Sequence, residues 1–549
     1  MPELLLGPLL RYVSARDATV WVETSSACEV EVLRHRSHTF QVEGHHYGIV
    51  HISGLEPGVS YEYEVSLNGE KKWPEADSEY PPSVIRSIST ENPLKLVFGS
   101  CRLSLPHELP YTLSQDEDER GVGVDALYAL AARMRHEPLE SWPHALVMLG
   151  DQIYADDLPV PTQVFIRSKR DTGRPPGEEA ADFEEYTRLY HDSWSAPPIR
   201  CLLSTVPSAM IFDDHEVTDD WNISKTWVEE AQTHPWWNEK LVGAYISYWL
   251  YQHLGNLSPE DLENNDLLQK VREAEDGGPL LRQFAFHAGR EAKGIRWSFC
   301  RDFGKIRLIV MDSRAGRVLE EKRRLMVDDE EWDWIVKHTT GEFDHLLLGS
   351  SLPVFVAPGM HHFEAWNEAI CNGAWGARAA KYGEQLRQYV DLEHWSAFHT
   401  SFEKMIELLR AVGAGKRGRA PSSITILSGD VHHGYLAKLE VGDDEAEVES
   451  PIYQAVSSPL RQEIEAYKRR IIQVAWSRVA RFLGCLLARA AGARGPGISW
   501  RRIHDGLWIE NHLGTLEFNE KEALLTLERA VPVDSPDPRL QEVFEHRLV

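Results

Sequence analysis

The hydrophobic pattern changes character once along the chain, near residue 95. Before that point, apolar positions recur every second residue in short runs: ATVWVET, EVEVL, GIVHISGL and SYEYEVSLNG. A period of two puts one face of each run in a core and the other in water, which is how half-buried strands read. Turn residues separate the runs at Arg16-Asp17, Glu56-Pro57-Gly58 and Asn68-Gly69. The pattern predicts a small all-β sandwich over residues 1–90. It carries no catalytic cluster, and His45 and His46 read as surface residues. The proline-bearing segment Pro74–Pro93 reads as a linker.

Beyond Lys95 the apolar runs become continuous, and segments of helical period lie between them. LVFGSC (residues 96–101), LVMLGD (146–151), AMIFDD (209–214), IRLIVMD (306–312), HLLLGSSLPVFV (345–356) and ITILSGD (424–430) have strand length and fully apolar cores. Such strands are buried on both faces and belong to α/β sheets. Val124–Met134, Phe183–Trp194 and Tyr382–Val412 show helical spacing, and Thr162–Ala181 reads as a polar surface loop. Residues 225–296 form a helical insertion whose crowded aromatics, Trp227 to Trp249, read as helix packing, and residues 381–412 form another. The end, LWIENHLGTLEFNEKEALLTLERAV, reads as closing strands of a β-layer. The run ISGLEPGVSYEYEV resembles the strand–turn–strand of a fibronectin type III domain.

Residues 461–494 predict a basic amphipathic helix. Ile464, Tyr467, Ile471, Ala475, Val479, Phe482 and Leu486 form its apolar face, with Lys468, Arg469, Arg470, Arg478, Arg481 and Arg489 around it. Such a helix lies on an acidic membrane surface or docks on an acidic protein body. Docking on this chain's own body is the preferred reading, because the chain has charge to match.

Charge narrows the functional classes. Lys+Arg 58 against Asp+Glu 85 gives −27, so specific nucleic-acid binding is not expected. A small phosphoester remains an acceptable partner if metal ions or local basic pockets draw it in. The 549 residues imply more than one domain. The six cysteines are far apart and show no CxxC spacing, which argues against a disulfide framework or zinc finger. MPELLLGPLLRYV lacks a basic leader region, and no run of 18 apolar residues occurs. The expectation is a soluble cytoplasmic protein.

Four of the apolar runs end in metal-capable side chains. These are Cys101; Asp151 with Tyr154; Asp213, Asp214 and His215; and Asp430, His432 and His433. Open α/β sheets bind ligands at the carboxyl ends of their strands, so four such ends point to one centre. Thiolate, phenolate, carboxylate and imidazole together suit a metal pair. Tyr and Cys near one Asp imply ferric iron at one position. Asp214 and Asp430 suit a divalent Ca, Mn or Zn ion, with Asp151 bridging the two. Such a pair activates water against a phosphate ester. His215 is a candidate general acid or oxyanion stabiliser. Arg102 is a candidate phosphoryl clamp, with an ion pair to a nearby acid as the competing reading. Asp312 reads either as a ligand or as a strand-end partner of Arg314 or Arg317.

The order GSC, GDQIY, FDDHE and SGDVHH resembles the alkaline phosphatase D (PhoD-like) branch of the calcineurin-like metallophosphatases, over roughly residues 95–530. The resemblance implies a four-layer α/β/β/α core over residues 95–535 behind the β-domain, acting as a phosphomonoesterase or phosphodiesterase. It implies ferric iron held by Cys101, Asp151, Tyr154 and His432, and a second metal held by Asp151, Asp214 and Asp430. His215 matches the histidine that follows the second-metal ligand. The superfamily's further histidine ligand has no clear counterpart. Ser350 and Ser351 are poor ligands, and His361 and His362 are the candidates. A metal-stabilised but catalytically silent protein that binds a partner or membrane is the alternative.

Overall fold

A computed structural model of the chain describes residues 1–89, 93–290, 295–440, 448–464, 466–532 and 537–549. Parts of the expected linker (90–92) and insertion (291–294), residue 465 and the side chain of Tyr467 lie outside the described residues. The first 86 residues form two four-stranded sheets and a two-stranded ribbon. Asp17–Thr24 pairs antiparallel with His45–Ser53, and the period of two puts Val20, Val22 and Val50 on one face and Trp21, Glu23 and Tyr47 on the other. The second face does not meet water as the pattern predicts: Ala18–Thr24 is buried throughout, because Tyr251 packs on Trp21 and Tyr47.

Two mixed sheets follow. In the first, Ser208–Ile211, Ala145–Leu149 and Leu94–Gly99 run parallel, and His512–Asn519, Glu522–Val531 and Arg539–Arg547 continue antiparallel. The final strand extends this sheet past residue 535, to Arg547. The second sheet has seven strands, with Ile306–Met311, His345–Ser350, Ser423–Ser428 and Ile452–Val456 parallel at its centre. The sheets pack face to face: a Cβ on Gly349 would lie 3.2 Å from Leu149 Cδ2. Ala126–His136 and Pro197–Thr205 lie on the first sheet's side, and Asp329–His338 and His399–Gly413 on the second's. The result is the four-layer α/β/β/α core preceded by a β-sandwich. The parallel registers bring the carboxyl ends of Leu94–Gly99, Ala145–Leu149 and Ser208–Ile211 level with one another.

The β-domain is fastened to the core through buried charge. Arg11 donates to the carbonyls of Tyr251 (2.6 Å) and Gln252 (2.8 Å). The fully buried Glu23 accepts from Tyr251 (2.8 Å) and bonds to His191 (2.8 Å) and His45 (3.1 Å). His45 is therefore a junction residue rather than a surface one, because a second carboxylate, Glu184, lies 3.0 Å from its other nitrogen.

Several expected elements divide differently. Val160–Lys169 is helical instead of loop: Pro161 suits a first helical turn, and Ile166 is buried. The stretch 382–412 splits into Ala377–Tyr389, a short 3₁₀ turn and His399–Gly413. The expected single helix at 461–494 is a pair, Ala466–Ala475 and Arg478–Ala490, bent by 77°. Ser477 caps the second helix by accepting from the Ala480 N–H, so the chain restarts there instead of continuing. Most of the named apolar face, including Ile471, Val479 and Phe482, is exposed. Among the described residues, no single helix is long and apolar enough to cross a membrane.

Candidate metal centre

Three of the four strand ends reach the centre by an unusual backbone step. Cys101, Asp151, Asp430 and His432 all have positive φ, between 48° and 64°. Side-chain-bearing residues rarely adopt this region, and each such residue costs about 1–3 kcal/mol unless its surroundings enforce it. The surroundings here do. A Cβ on Gly150 would lie 2.6 Å from Asp213 Cβ, and one on Gly429 would lie 2.0 Å from Ser100 Oγ. The glycines before the two aspartates therefore let the sheet ends close on each other. Cys101 N–H donates to Gly150 O (3.1 Å), and Arg102 N–H donates to Asp151 O (3.0 Å), which locks these two loops.

Glu216 fastens the loops a second time. Its carboxylate accepts the N–H groups of Asp151 (3.1 Å), Gln152 (2.8 Å) and Asp213 (2.8 Å). Gln252 lies on a turn of π-helix, Tyr248–His253, and donates to Glu216 (3.2 Å). The final Glu of the FDDHE motif is thus a bracket for the loops.

The acids converge. Single ligand atoms of Asp151, Asp213, Asp214 and Asp430 all lie within 4.8 Å of one another, as do those of Asp151, Asp214 and His215. Cys101 Sγ is 3.3 Å from Asp151 Oδ2 and 3.6 Å from the Asp430 carbonyl. Tyr154 packs beside Cys101 in one small buried cluster, and its ring lies tilted by 31° against His215, 4.3 Å between centroids. His432 is in neither group; burial, and then the nearby positive charges of His215 and Lys468, push its pKa down to about 3, against Asp214. Its backbone N–H donates to Asp430 O at 2.8 Å, a tight turn that brings His432 round beside that aspartate.

The electrostatics of the cluster call for a cation. Burial, reinforced by Asp214 and Asp213, pushes the Asp151 carboxyl well above its ordinary range. Burial with Asp213 and Asp214 does the same to Asp430. Burial and then Asp151 and Asp430 raise the Cys101 thiol. The buried Tyr154 hydroxyl and Asp213 Oδ2 have no hydrogen-bond partner. Buried polar atoms are otherwise nearly always paired, so orphaned anionic donors around a shared carboxylate fit a bound cation. The donor set therefore fits a bound metal ion.

His215 is held, not free. Its Nδ1 lies 2.9 Å from both oxygens of Asp156, whose Oδ2 also accepts the Asp219 N–H at 2.6 Å. Burial opposes a charged imidazole, yet Asp156 and Asp214 outweigh it and raise the His215 pKa well above its usual value.

Arg102 does not serve the centre. Its guanidinium donates to Asp125 (2.9 Å) and to Ser193 O (3.1 Å), the competing ion-pair reading. Asp125 caps the helix Ala126–His136, so this pair ties the Cys101 loop to that helix. The arginine that meets the acids is Arg314. It is fully buried, bonds to Asp213 and Glu393, and lies 3.3 Å from Asp214. Asp312 is no ligand: its carboxylate accepts the N–H groups of Arg314, Ala315 and Gly316 and shapes the turn that presents Arg314.

The other histidine candidates lie elsewhere. His361 packs against Phe402 and Trp500, and a Cβ on Gly484 would meet His362 Cβ at 3.0 Å. Ser350 donates to Leu352 O (2.8 Å), and Ser351 pairs with Ser313 (2.7 Å). His433 bonds to Val431 O (2.6 Å) and stacks on Tyr435. Besides His215, a further histidine that reaches the acids is His394. Its Nδ1 is 2.6 Å from Glu364, and its Nε2, otherwise unpartnered, is 3.9 Å from Asp430. Sequence reading missed it because it follows no apolar run. It also fell inside the single helix expected over Tyr382–Val412, and the Glu364 that orients it is 30 residues away in sequence.

A four-layer α/β/β/α core with a buried acidic, thiol-bearing cluster at its strand ends presents a candidate metal centre. The comparisons with known proteins narrow this further. Residues 124–275 match the family model of PhoD-like phosphatases, so the chain carries a PhoD-like phosphatase domain. Residues 1–85 match a domain of unknown function, DUF7800. Among solved structures, one titled "Structure of PhoD" aligns with TM-score 0.60 over 98% of this chain and 89% of that one, at 13% identity. The chain thus shares the PhoD fold from end to end. No curated protein matches it.

Proposed function

We propose that this protein is a metal-dependent phosphoester hydrolase that uses a dinuclear centre bridged by Asp151. The observation that carries the proposal is the convergence on one buried point of the Cys101 thiol and the Asp151, Asp213, Asp214 and Asp430 carboxylates. Cys101, Tyr154, Asp151 and His432 would hold ferric iron, and Asp151, Asp214 and Asp430 would hold a divalent Ca, Mn or Zn ion. When bound, such ions acidify water and take up negative charge on the phosphoryl oxygens.

The chain's own residues do the rest. His215, oriented through Nδ1 by Asp156, presents a protonated Nε2 and donates to the leaving-group oxygen. Arg314 offsets part of the acids' mutual repulsion from inside the protein and leaves the solvent side of the cluster to substrate. His394, oriented by Glu364, fixes the Asp430 side. Glu216 holds the Asp151 and Asp213 loops at a constant separation, which keeps the reacting groups aligned.

Metal analysis of protein purified without chelator, followed by turnover of an aryl phosphate and a bis-aryl phosphate, tests the reading and separates monoesterase from diesterase. Asp151→Ala is expected to lose metal and activity together. His215→Ala is expected to keep the metal and to lose about 10²–10⁴ in rate. Metal without turnover of either ester would leave a silent metal-stabilised protein.

A further inference from the structure

The helix pair Ala466–Ala475 and Arg478–Ala490 is amphipathic in the reverse sense from a core helix. Arg478–Ala490 turns small residues toward the body. A Cβ on Gly484 would meet Gly359 O at 3.2 Å, one on Gly359 would meet Ala480 Cβ at 2.9 Å, and Ala488 is buried. Its large apolar residues face outward: Val479 is 67% exposed, Phe482 63%, Leu483 57% and Leu486 48%. These four follow the i, i+3, i+4, i+7 spacing of a single helical stripe. Ile471 and Val474 of the first helix are also exposed, and Trp375, half-exposed, donates to Ala490 O at 3.2 Å beside the stripe's end.

Charge selects what covers this stripe. Residues 466–500 hold seven Lys and Arg and no Asp or Glu, in a chain whose net charge is −27. A groove of about 470 Å³ beside the helix is lined by His362, Arg478, Arg481, Arg489 and Arg494. An apolar stripe flanked by arginines, next to a cationic groove, matches the boundary between acyl chains and anionic headgroups. A neighbouring aromatic suits the same depth. The pair is bent by 77°, and its second helix packs along the body at Gly359, which favours a position along the bilayer surface.

We propose that this helix pair docks the protein on an anionic lipid bilayer, with Val479, Phe482, Leu483 and Leu486 in the interface and phosphate headgroups in the arginine-lined groove. The test is flotation of the full chain with vesicles of phosphatidylcholine alone and of phosphatidylcholine with phosphatidylserine. The expected result is flotation with the phosphatidylserine vesicles only, weakened by salt. Phe482→Asp and Leu486→Asp, both at exposed positions, should each lower the bound fraction about tenfold or more while leaving the circular dichroism spectrum and turnover of a soluble ester unchanged. Flotation that is absent, insensitive to phosphatidylserine or undiminished in the variants would overturn the proposal. So would a concentration-dependent dimer in sedimentation equilibrium that these variants abolish, since the stripe would then be covered by a second copy.

Discussion

Replacing Asp156 by Asn tests how the chain prepares His215. The carboxylate takes Nδ1 at 2.9 Å on both oxygens and the Asp219 N–H at 2.6 Å, so it sets both the ring plane and the charge. Asn preserves the shape and one acceptor oxygen but removes the charge. A charge-assisted hydrogen bond of this kind contributes about 1.5–3 kcal/mol. Expressed fully in the transition state, that is about 10-fold to about 150-fold in rate. The sign of the pH effect is also defined. Burial opposes the His215 imidazolium, and Asp156 is the largest influence raising its pKa, so losing Asp156 lowers that pKa. If protonated His215 donates to the leaving group, activity falls above its pKa, and the alkaline limb of the pH–rate profile moves toward acid in Asp156→Asn. The assay is kcat against pH with an aryl phosphate, alongside metal content. An unmoved limb with unchanged rate would refute the acid role of His215. Lost metal at unchanged pH behaviour would make Asp156 part of the metal site instead.

Three further outcomes follow from the packing. Gly150→Ala forces a Cβ to 2.6 Å from Asp213 Cβ at φ +108°, so denaturant unfolding should show a loss of more than about 2 kcal/mol; a change near zero would mean that the two loops are not in contact. Arg314→Met strands Asp213 and Glu393 without their buried partner and should cost about 3–5 kcal/mol, seen as a lower Tm. Arg314→Lys should not rescue it, because an ammonium cannot fork across Glu393. The Glu23 junction titrates from both sides: burial opposes the Glu23 charge, but His191 and His45 lower its pKa below the ordinary 4.5, so its stabilisation is lost as pH falls through that lowered value. His45, disfavoured by burial but raised by Glu23 and Glu184, contributes below its ordinary 6.5 and loses its contribution as pH rises through the raised value. Limited proteolysis should therefore find the β-domain best protected at about pH 5–6, and Glu23→Gln should flatten that optimum.

Local chemistry made much of the site legible in sequence. Cys101, Asp151, Asp214 and Asp430 each end an apolar run, and a glycine one or two residues earlier in three of the four cases marks where the backbone must bend sharply. A strand buried on both faces has one place to release a polar side chain, its end, so periodicity and a glycine suffice to find it. The same logic separated the β-sandwich from the α/β core. What periodicity cannot carry is the partner. Arg102 and Arg314 both follow strands, and nothing local distinguishes the one that ties a loop to a helix through Asp125 from the one buried among the acids. Asp156 and His394 matter because loops bring them to His215 and Asp430, and loop paths depend on contacts between segments tens to hundreds of residues apart. The helix pair at 466–490 shows the same division: its sequence determined that it would have an apolar stripe and a cationic border, but only the packing of Gly484 and Ala488 against the helix Pro358–Cys371 decided that the stripe would face out. Side-chain pattern sets what each segment can bury, and the mutual fit of distant segments sets what it does bury.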